Sequence, residues 1–294
     1  MLPGYLVDAI TKDGLELKGF WMDNKSDTAI FHSHGTAGDF YTHKFLELEG
    51  IRLRQKKISF LSANNRGHDV IADIRKKVGG KTEWVQIGGS TERFEDCSLD
   101  ISSWLDFLQK QGIKKVILQA HSLTQKILYY QHRKIDKRVI GQIHLSPCND
   151  AGIMRTVLGE QKYKESNKKI WQMIKNGKEK EMLPAELSVI CQMNALAYSG
   201  YLTEEGAGNL FPYHNVDSSK WDVLKNTKDP LLAVFGGSDA YIKPTNKIAA
   251  QIWKSKAETS KLLDVKVIEG ALHSYLDHEE KLISVIIDWI KKIL

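Results

Sequence analysis

A hydroxyl, a carboxylate and an imidazole follow three apolar segments in the order Ser122, Asp239 and His273. A serine hydroxyl is a poor nucleophile until an imidazole accepts its proton, and that imidazole needs a carboxylate to fix its tautomer. In an open α/β sheet, residues that follow the carboxyl ends of parallel strands meet at one edge. The order and placement therefore predict Ser122 as a nucleophile, His273 as its base and Asp239 as the orienting acid.

Ser122 stands at a predicted strand-to-helix corner within the stretch from Val116 to Lys126. A continuous apolar run precedes it, and apolar residues recur at helical spacing after it. Such a corner exposes the hydroxyl and directs the next backbone N–H, that of Leu123, into the same space. The usual form is G-x-S-x-G, but Ala120 and Thr124 replace the two glycines here. A serine that merely caps the following helix is the alternative interpretation.

Two further loops are predicted at the same edge of the sheet. The strand Thr28–His34 ends in Gly35-Thr36-Ala37-Gly38, where the backbone N–H of Thr36 is a candidate second donor to an oxyanion. The polar loop 64–69 follows the next strand and is expected to brace the rim of the pocket. Both loops would complete a site around Ser122.

His32 and His34 share one face of their strand by its period of two, so a metal pair is conceivable. We do not favour it, because no third or fourth ligand follows at a helpful spacing. A histidine at the end of a central strand often fixes a loop through a hydrogen bond instead. These residues therefore predict no metal site.

The alternation of strands and helices predicts an α/β fold with a mostly parallel central sheet flanked by helices. The expected strands are Tyr5–Ile10, Leu15–Met22, Thr28–His34, Lys57–Ala63, a segment from Val116, Val139–Leu145, a segment from Pro230 to the glycines at 236–237, and Leu263–Glu269. The expected helices include Phe94–Gln109, Thr245–Lys256 and Glu279–Ile293. Residues 76–90, rich in Gly and Lys, are predicted to form a surface loop.

The alternation stops between residues 149 and 219, which predicts a helical cap inserted between the core segments 1–148 and 220–294. Its expected helices are Tyr163–Lys175 and Glu186–Ala197. A cap over the active edge commonly binds substrate. Candidate substrate-binding side chains are Tyr213, Phe211 and Met193, with ordinary helix packing as the alternative for each.

Composition excludes several classes of protein. The net charge is +6 and the pI is near 9.0, but 42 basic residues are dispersed among 36 acidic ones, which favours a solvated basic surface over nucleic-acid binding. Three cysteines without CxxC spacing favour free thiols over a disulfide framework or a zinc site. Neither a secretory leader nor a membrane-spanning run is evident, so a soluble, cytoplasmic protein is expected.

In its motifs the chain resembles the α/β-hydrolases. The matching segments are His34-Gly35, Asn65-Arg66-Gly67-His68, Ala120-His-Ser-Leu-Thr124, Gly236-Gly-Ser-Asp239 and Gly270-Ala-Leu-His-Ser274. A narrower likeness, to the branch that includes fungal siderophore esterases, rests on Glu95-Asp96-Cys97, Gln125-Lys126 and His273-Ser274-Tyr275. The resemblance implies a carboxylic-ester hydrolase that forms an acyl-enzyme on Ser122 and takes a small-molecule ester, without a cofactor.

Three alternatives remain open at this stage. The same triad can transfer the acyl group to an alcohol or amine, or serve a lyase, and the altered elbow is also compatible with a non-catalytic ligand-binding protein. Asp217, Asp222 and Asp277 compete with Asp239 for the role of the acid. Asp239 is preferred because it alone follows a strand and a glycine pair.

Overall fold

The computed structural model describes residues 3–187 and 190–294. Its strands within these ranges are β1 (Tyr5–Ile10), β2 (Glu16–Met22), β3 (Thr28–Ser33), β4 (Ser59–Ala63), β5 (Ala72–Val78), β6 (Lys81–Ile87), β7 (Lys115–His121), β8 (Val139–Leu145), β9 (Leu231–Gly236) and β10 (Leu263–Ile268). Its α-helices are α1 (Lys44–Gln55), α2 (Cys97–Lys110), α3 (Gln125–Lys134), α4 (Asp150–Leu158), α5 (Glu160–Lys175), α6 (Ala195–Tyr201), α7 (Asp222–Lys225), α8 (Asn246–Lys256) and α9 (Glu279–Ile293). No helix in the described ranges is long and apolar enough to cross a membrane.

Within the described residues, eight strands form one sheet in the order β1-β2-β4-β3-β7-β8-β9-β10. The pairs β1–β2 and β2–β4 are antiparallel, and the remaining neighbours are parallel. Every residue of β3, β4 and β9 is buried, as expected when helices cover both faces of a parallel sheet. The predicted α/β architecture is confirmed.

Helices pack against both faces of this sheet. On one face, Phe45 of α1 and Trp289 of α9 lie in a buried cluster with Ile30 and Ile117 from the central strands. On the other face, a second cluster contains Trp104 of α2 and Ile127 of α3, among others. The two clusters hold the carboxyl ends of β3, β7, β9 and β10 at one edge.

The prediction of a surface loop at residues 76–90 is wrong, because most of this segment belongs to an antiparallel hairpin formed by β5 and β6. Val78 pairs with Lys81, which leaves Gly79 and Gly80 as a two-residue turn with φ values of 55° and 82°. Positive φ at both central residues is the geometry that matches the twist of a tight hairpin. Trp84 is 68% exposed, so the usual burial pattern of a strand is missing.

The predicted insertion, residues 149–219, contains the helices α4, α5 and α6, which form a helical layer beside the elbow. Its buried cluster includes Phe94 and Leu123 from outside the insertion. The predicted helix Tyr163–Lys175 lies within α5. The predicted helix Glu186–Ala197 is wrong over most of its described part: a 3₁₀ turn ends at Leu187, and α6 starts only at Ala195. Residues 188–189 of that prediction lie outside the described residues.

Candidate active site

Ser122 forms the corner between β7 and α3 and has a φ of 66°. Few residues other than glycine adopt this left-handed conformation, and such strain is concentrated at functional sites. The loop after β3 approaches closely, because a Cβ on Gly35 would lie 2.7 Å from Ser122 Cβ. Glycine at position 35 therefore lets the loop that contains Thr36 lie against Ser122.

The two departures from the elbow pattern are accommodated locally. Ala120 is buried within β7, where a methyl group fits. Thr124 has helical dihedrals, with φ −70° and ψ −10°, so its β-branched side chain meets no forbidden backbone conformation. Among the described residues nothing hydrogen-bonds to the buried Thr124 hydroxyl. The left-handed turn at Ser122 therefore forms without the flanking glycines.

His273 and Asp239 form a close pair, with 2.7 Å between Nδ1 and Oδ2. Asp239 follows β9, is 3% exposed, and its Oδ1 accepts a hydrogen bond from the Tyr241 N–H at 2.9 Å. The competing acids Asp217, Asp222 and Asp277 are exposed to solvent. The geometry pairs His273 with the acid that follows a strand.

A second histidine holds the backbone of the His273 loop. His121 Nε2 lies 2.8 Å from the carbonyl oxygen of His273, and since a carbonyl only accepts, this nitrogen must carry the hydrogen. Burial, assisted by the charges of His273 and His43, holds the pKa of His121 well below its usual range. Neutral His121 therefore positions the loop without adding charge. Tyr275, nearby, accepts the Ser146 N–H and donates to the Val234 carbonyl.

Ser122 and His273 line the same cavity, which has a volume of about 220 Å³. Its described lining is Thr36, Ser122, Cys148, Asp150, Ile153, Ile190, Tyr241 and His273. Ser122 Oγ lies 3.3 Å from Cys148 Sγ, and no hydrogen bond joins it to His273 among the described residues. A larger groove of about 630 Å³ on the insertion contains neither side chain. The smaller cavity is therefore the candidate site.

Two backbone amides are available near the serine. Thr36 lines the cavity, and Leu123 directly follows Ser122 in the turn. Within residues 3–187 and 190–294, no hydrogen bond uses the amide N–H of either residue. Unoccupied amides beside a nucleophile are what an oxyanion needs.

The three predicted substrate-binding side chains lie in buried cores and not in the cavity lining. Phe211 and Tyr213 pack with Trp253, and Met193 packs inside the insertion. The Tyr213 hydroxyl donates to the Pro147 carbonyl at 2.6 Å and accepts from Trp253 Nε1 at 3.0 Å. These contacts show a structural role, which was the alternative interpretation for such aromatic residues.

Five cavity residues were missed by the sequence reasoning: Ile153, Ile190, Tyr241 and, of most interest for the chemistry, Cys148 and Asp150. Both follow β8 almost directly, beyond Ser146 and Pro147. The criterion that selected Asp239, a polar residue just past a buried strand, applies equally to them. The predicted boundary between core and cap falls between these two residues and obscures this signal.

The histidines of β3 have separate structural partners. His34 Nδ1–H donates to the Gly35 carbonyl at 2.7 Å, and its Nε2 accepts the Asn65 N–H at 3.1 Å. His32 Nδ1 accepts from Gln119 Nε2, which also donates to the buried Glu49 carboxyl. No group of three or more His, Cys, Asp or Glu side chains in the described ranges is arranged to hold a metal ion.

The polar loop after β4 is fixed by buried ion pairs. Arg66 is 2% exposed and donates to Asp100, Asp13 and Asp96. Next to it, the buried Lys126 of α3 donates to both oxygens of Glu92 at 2.8 Å. Neighbouring charges that are fully hydrogen-bonded resist displacement, so this loop is a rigid support beside the elbow.

The sheet order, the elbow at the end of β7 and the residues beyond β9 and β10 define an α/β-hydrolase fold. A siderophore hydrolase, EstB from Aspergillus fumigatus, matches with a TM-score of 0.68 at 17% identity, over 100% of this chain and 99% of its own. Est1E from Butyrivibrio proteoclasticus matches with a TM-score of 0.64 at 14% identity, over 98% of each chain. The Pyrococcus furiosus esterase Pf2001 matches with a TM-score of 0.60 at 15% identity, over 99% of this chain and 93% of its own.

Residues 88–294 match the family described as "Protein of unknown function (DUF1749)". The match covers more than half of the chain, and the protein belongs to this family. It includes the elbow, the insertion and the loops of Asp239 and His273. No curated protein sequence matches the chain.

Proposed function

We propose that the protein is a serine hydrolase that cleaves a carboxylic ester through an acyl-enzyme intermediate. Ser122 is the nucleophile, His273 the general base and acid, and Asp239 the residue that orients His273. The N–H groups of Thr36 and Leu123 bind the oxyanion. We expect the substrate to contact Ile153, Ile190 and Tyr241, because these side chains also line the cavity.

One observation carries this proposal: a left-handed serine and a histidine–aspartate pair converge on one cavity. Asp239 contacts Nδ1 of His273, which leaves Nε2 as the basic nitrogen. Catalysis requires the Ser122 hydroxyl to exchange its contact with Cys148 for one with Nε2. Catalytic hydrogen bonds are commonly loose before substrate binds.

The reaction proceeds in two steps, formation of the acyl-enzyme and its hydrolysis. Ser122 Oγ attacks the ester carbonyl while its proton passes to His273 Nε2, and the resulting oxyanion is held by the two amides. Collapse expels the alcohol, which takes the proton from His273 and leaves the acyl group on Ser122. Water attacks this acyl-enzyme with His273 again accepting a proton, and the acid leaves as the proton returns to Ser122.

The choice of an ester is supported by the structural neighbours. Their names describe a siderophore hydrolase and esterases, although at 14–17% identity the likeness itself extends only to the fold. The cavity of about 220 Å³ is smaller than sites for drug-sized ligands. We therefore expect a short acyl group to fit beside Ser122.

The test is labelling with a fluorophosphonate probe, followed by mass spectrometry of the digested protein. We expect rapid modification of Ser122 and turnover of p-nitrophenyl butanoate in the wild type. Ser122→Ala should fold normally, fail to label and lose essentially all turnover, because the attacking hydroxyl is then missing.

His273→Ala should also abolish labelling, since the serine is then not activated. Ser274→Ala, a neighbouring serine substitution outside the proposed site, should label at the wild-type rate. If the folded wild type remains unlabelled, or Ser122→Ala retains wild-type turnover, the assignment of the nucleophile fails.

A further inference from the structure

Asp150 places a carboxylate in the lining of the cavity. It is the first residue of α4, and the side chain of its neighbour Asn149 caps that helix by accepting from the Gly152 N–H. The cap therefore does not require the Asp150 side chain. Asp150 is instead part of the cavity lining with Ser122 and His273.

This carboxylate is buried and incompletely partnered. Asp150 is 4% exposed, and its Oδ2 has no hydrogen-bond donor among the described residues. Burial raises the pKa of Asp150 to about 6, while the charges of His273 and Lys126 and a hydrogen bond from Cys148 act the other way. The carboxyl is therefore mostly ionised at pH 7.

The nearest basic side chains, Lys126 and His273, do not bind Asp150 directly. The charge of Lys126 is already bound by both oxygens of Glu92, and His273 is bound by Asp239. A buried carboxylate oxygen without a partner costs free energy. An ammonium group in the cavity places the opposite charge beside this carboxylate, and the attraction between the two charges stabilises the bound ligand.

We propose that Asp150 determines specificity by selecting esters that carry a positively charged ammonium group close to the scissile carbonyl. The inference rests on the proposed function, because it assigns a substrate class to the same cavity. The small volume requires the cation to be only a few bonds from the carbonyl. The opposite charge of Asp150 then favours cationic over neutral esters of equal size.

The experiment compares two pairs of esters of matched shape. For a cation on the acyl side, p-nitrophenyl 3-aminopropanoate is compared with p-nitrophenyl butanoate. For a cation on the alcohol side, the choline ester of butanoic acid is compared with 3,3-dimethylbutyl butanoate. Values of kcat/KM are measured for the wild type, for Asp150→Asn and for Asp277→Asn, which removes an exposed carboxylate as a matched control.

We expect the wild type to prefer the cationic ester by about tenfold or more in one of the two pairs, as for a charge-assisted contact. Asp150→Asn should abolish the preference, because kcat/KM for the cationic ester falls about tenfold further than kcat/KM for the neutral ester. Asp277→Asn should retain the preference. The pair that shows the effect identifies the side of the ester that carries the cation.

Two outcomes overturn the inference. In one, the wild type cleaves the neutral esters and shows no preference in either pair, a result that needs no variant. In the other, Asp150→Asn lowers kcat/KM for cationic and neutral esters in parallel, as loss of a positioning contact would. Failure of the proposed function is distinct, since no ester is then cleaved and Ser122 is not labelled by the fluorophosphonate.

Discussion

We propose that Asp239 orients His273 through their contact, and a single substitution at Asp239 tests this role. Replacing Asp239 by Asn preserves the size of the side chain but removes the acceptor that holds the proton on Nδ1. We expect kcat to fall by about 10⁴-fold. The measurement is the turnover of p-nitrophenyl butanoate by the folded variant.

Asp277→Asn is the control for this prediction, because Asp277 follows His273 in the chain but is exposed. Its turnover should stay within about threefold of the wild type, as for a surface change. Full activity in Asp239→Asn, with a large loss in Asp277→Asn, would transfer the role of the acid to Asp277.

From the sequence, the positions of reactive side chains are easier to predict than the packing partners of aromatic ones. Ser122, Asp239 and His273 were found because each follows an apolar strand, and strand order places such residues together. Phe211 and Tyr213 gave no comparable signal, because an aromatic side chain serves a core and a pocket equally well. Their burial with Trp253 depends on the tertiary fold.

Among the elements, the loop after β3 packs so closely against the elbow that one added carbon atom would disturb the contact. Adding a Cβ at Gly35 places it 2.7 Å from Ser122 Cβ and 3.0 Å from the His121 carbonyl oxygen. For Gly35→Ala we expect the loop to shift, with a loss of about 1–3 kcal/mol in stability and about a hundredfold in turnover. Thermal unfolding and an esterase assay measure the two effects.

Gly38→Ala in the same loop is the matched control. A Cβ there would lie 3.4 Å from the nearest atom, in His34, so both stability and turnover should stay near the wild-type values. If Gly35→Ala behaves like Gly38→Ala, then close approach of this loop is not required for activity.

Elements with strong apolar patterns were predicted well from the sequence. The bounds of β8 and α9 agree with the predictions Val139–Leu145 and Glu279–Ile293. The hairpin of β5 and β6 was missed because its side chains are mostly exposed, so the alternation that normally identifies a strand is weak. The Gly79-Gly80 pair was the remaining signal for its turn.

For the whole molecule, Glu49 makes stability depend on pH. Burial raises the pKa of the Glu49 carboxyl to about 8, although Gln119 hydrogen-bonds to it. In the unfolded chain the same group ionises near its ordinary value, 4.5. Between these two pH values the folded state retains a proton that the unfolded state loses, so this group lowers stability as the pH rises.

We therefore predict that Glu49→Gln, which stays neutral, gains stability relative to the wild type as the pH increases from 5 to 8. The difference in Tm between variant and wild type should increase by about 5 °C or more over this range. Glu47→Gln on the exposed side of α1 is the control and should show no such increase. A difference in Tm for Glu49→Gln that is independent of pH would show that Glu49 ionises normally in the folded protein.

The buried cluster that joins the insertion to Phe94 and Leu123 bears on how new specificities can be engineered. Loops of this fold are attractive for transplanting between enzymes, with junctions placed where an insertion begins and ends. Here, a donor segment grafted between residues 148 and 220 would have to pack against Leu123. In the present protein Leu123 packs against the residues that the graft removes. A chimera therefore requires redesign of Phe94 and Leu123 together with the grafted segment.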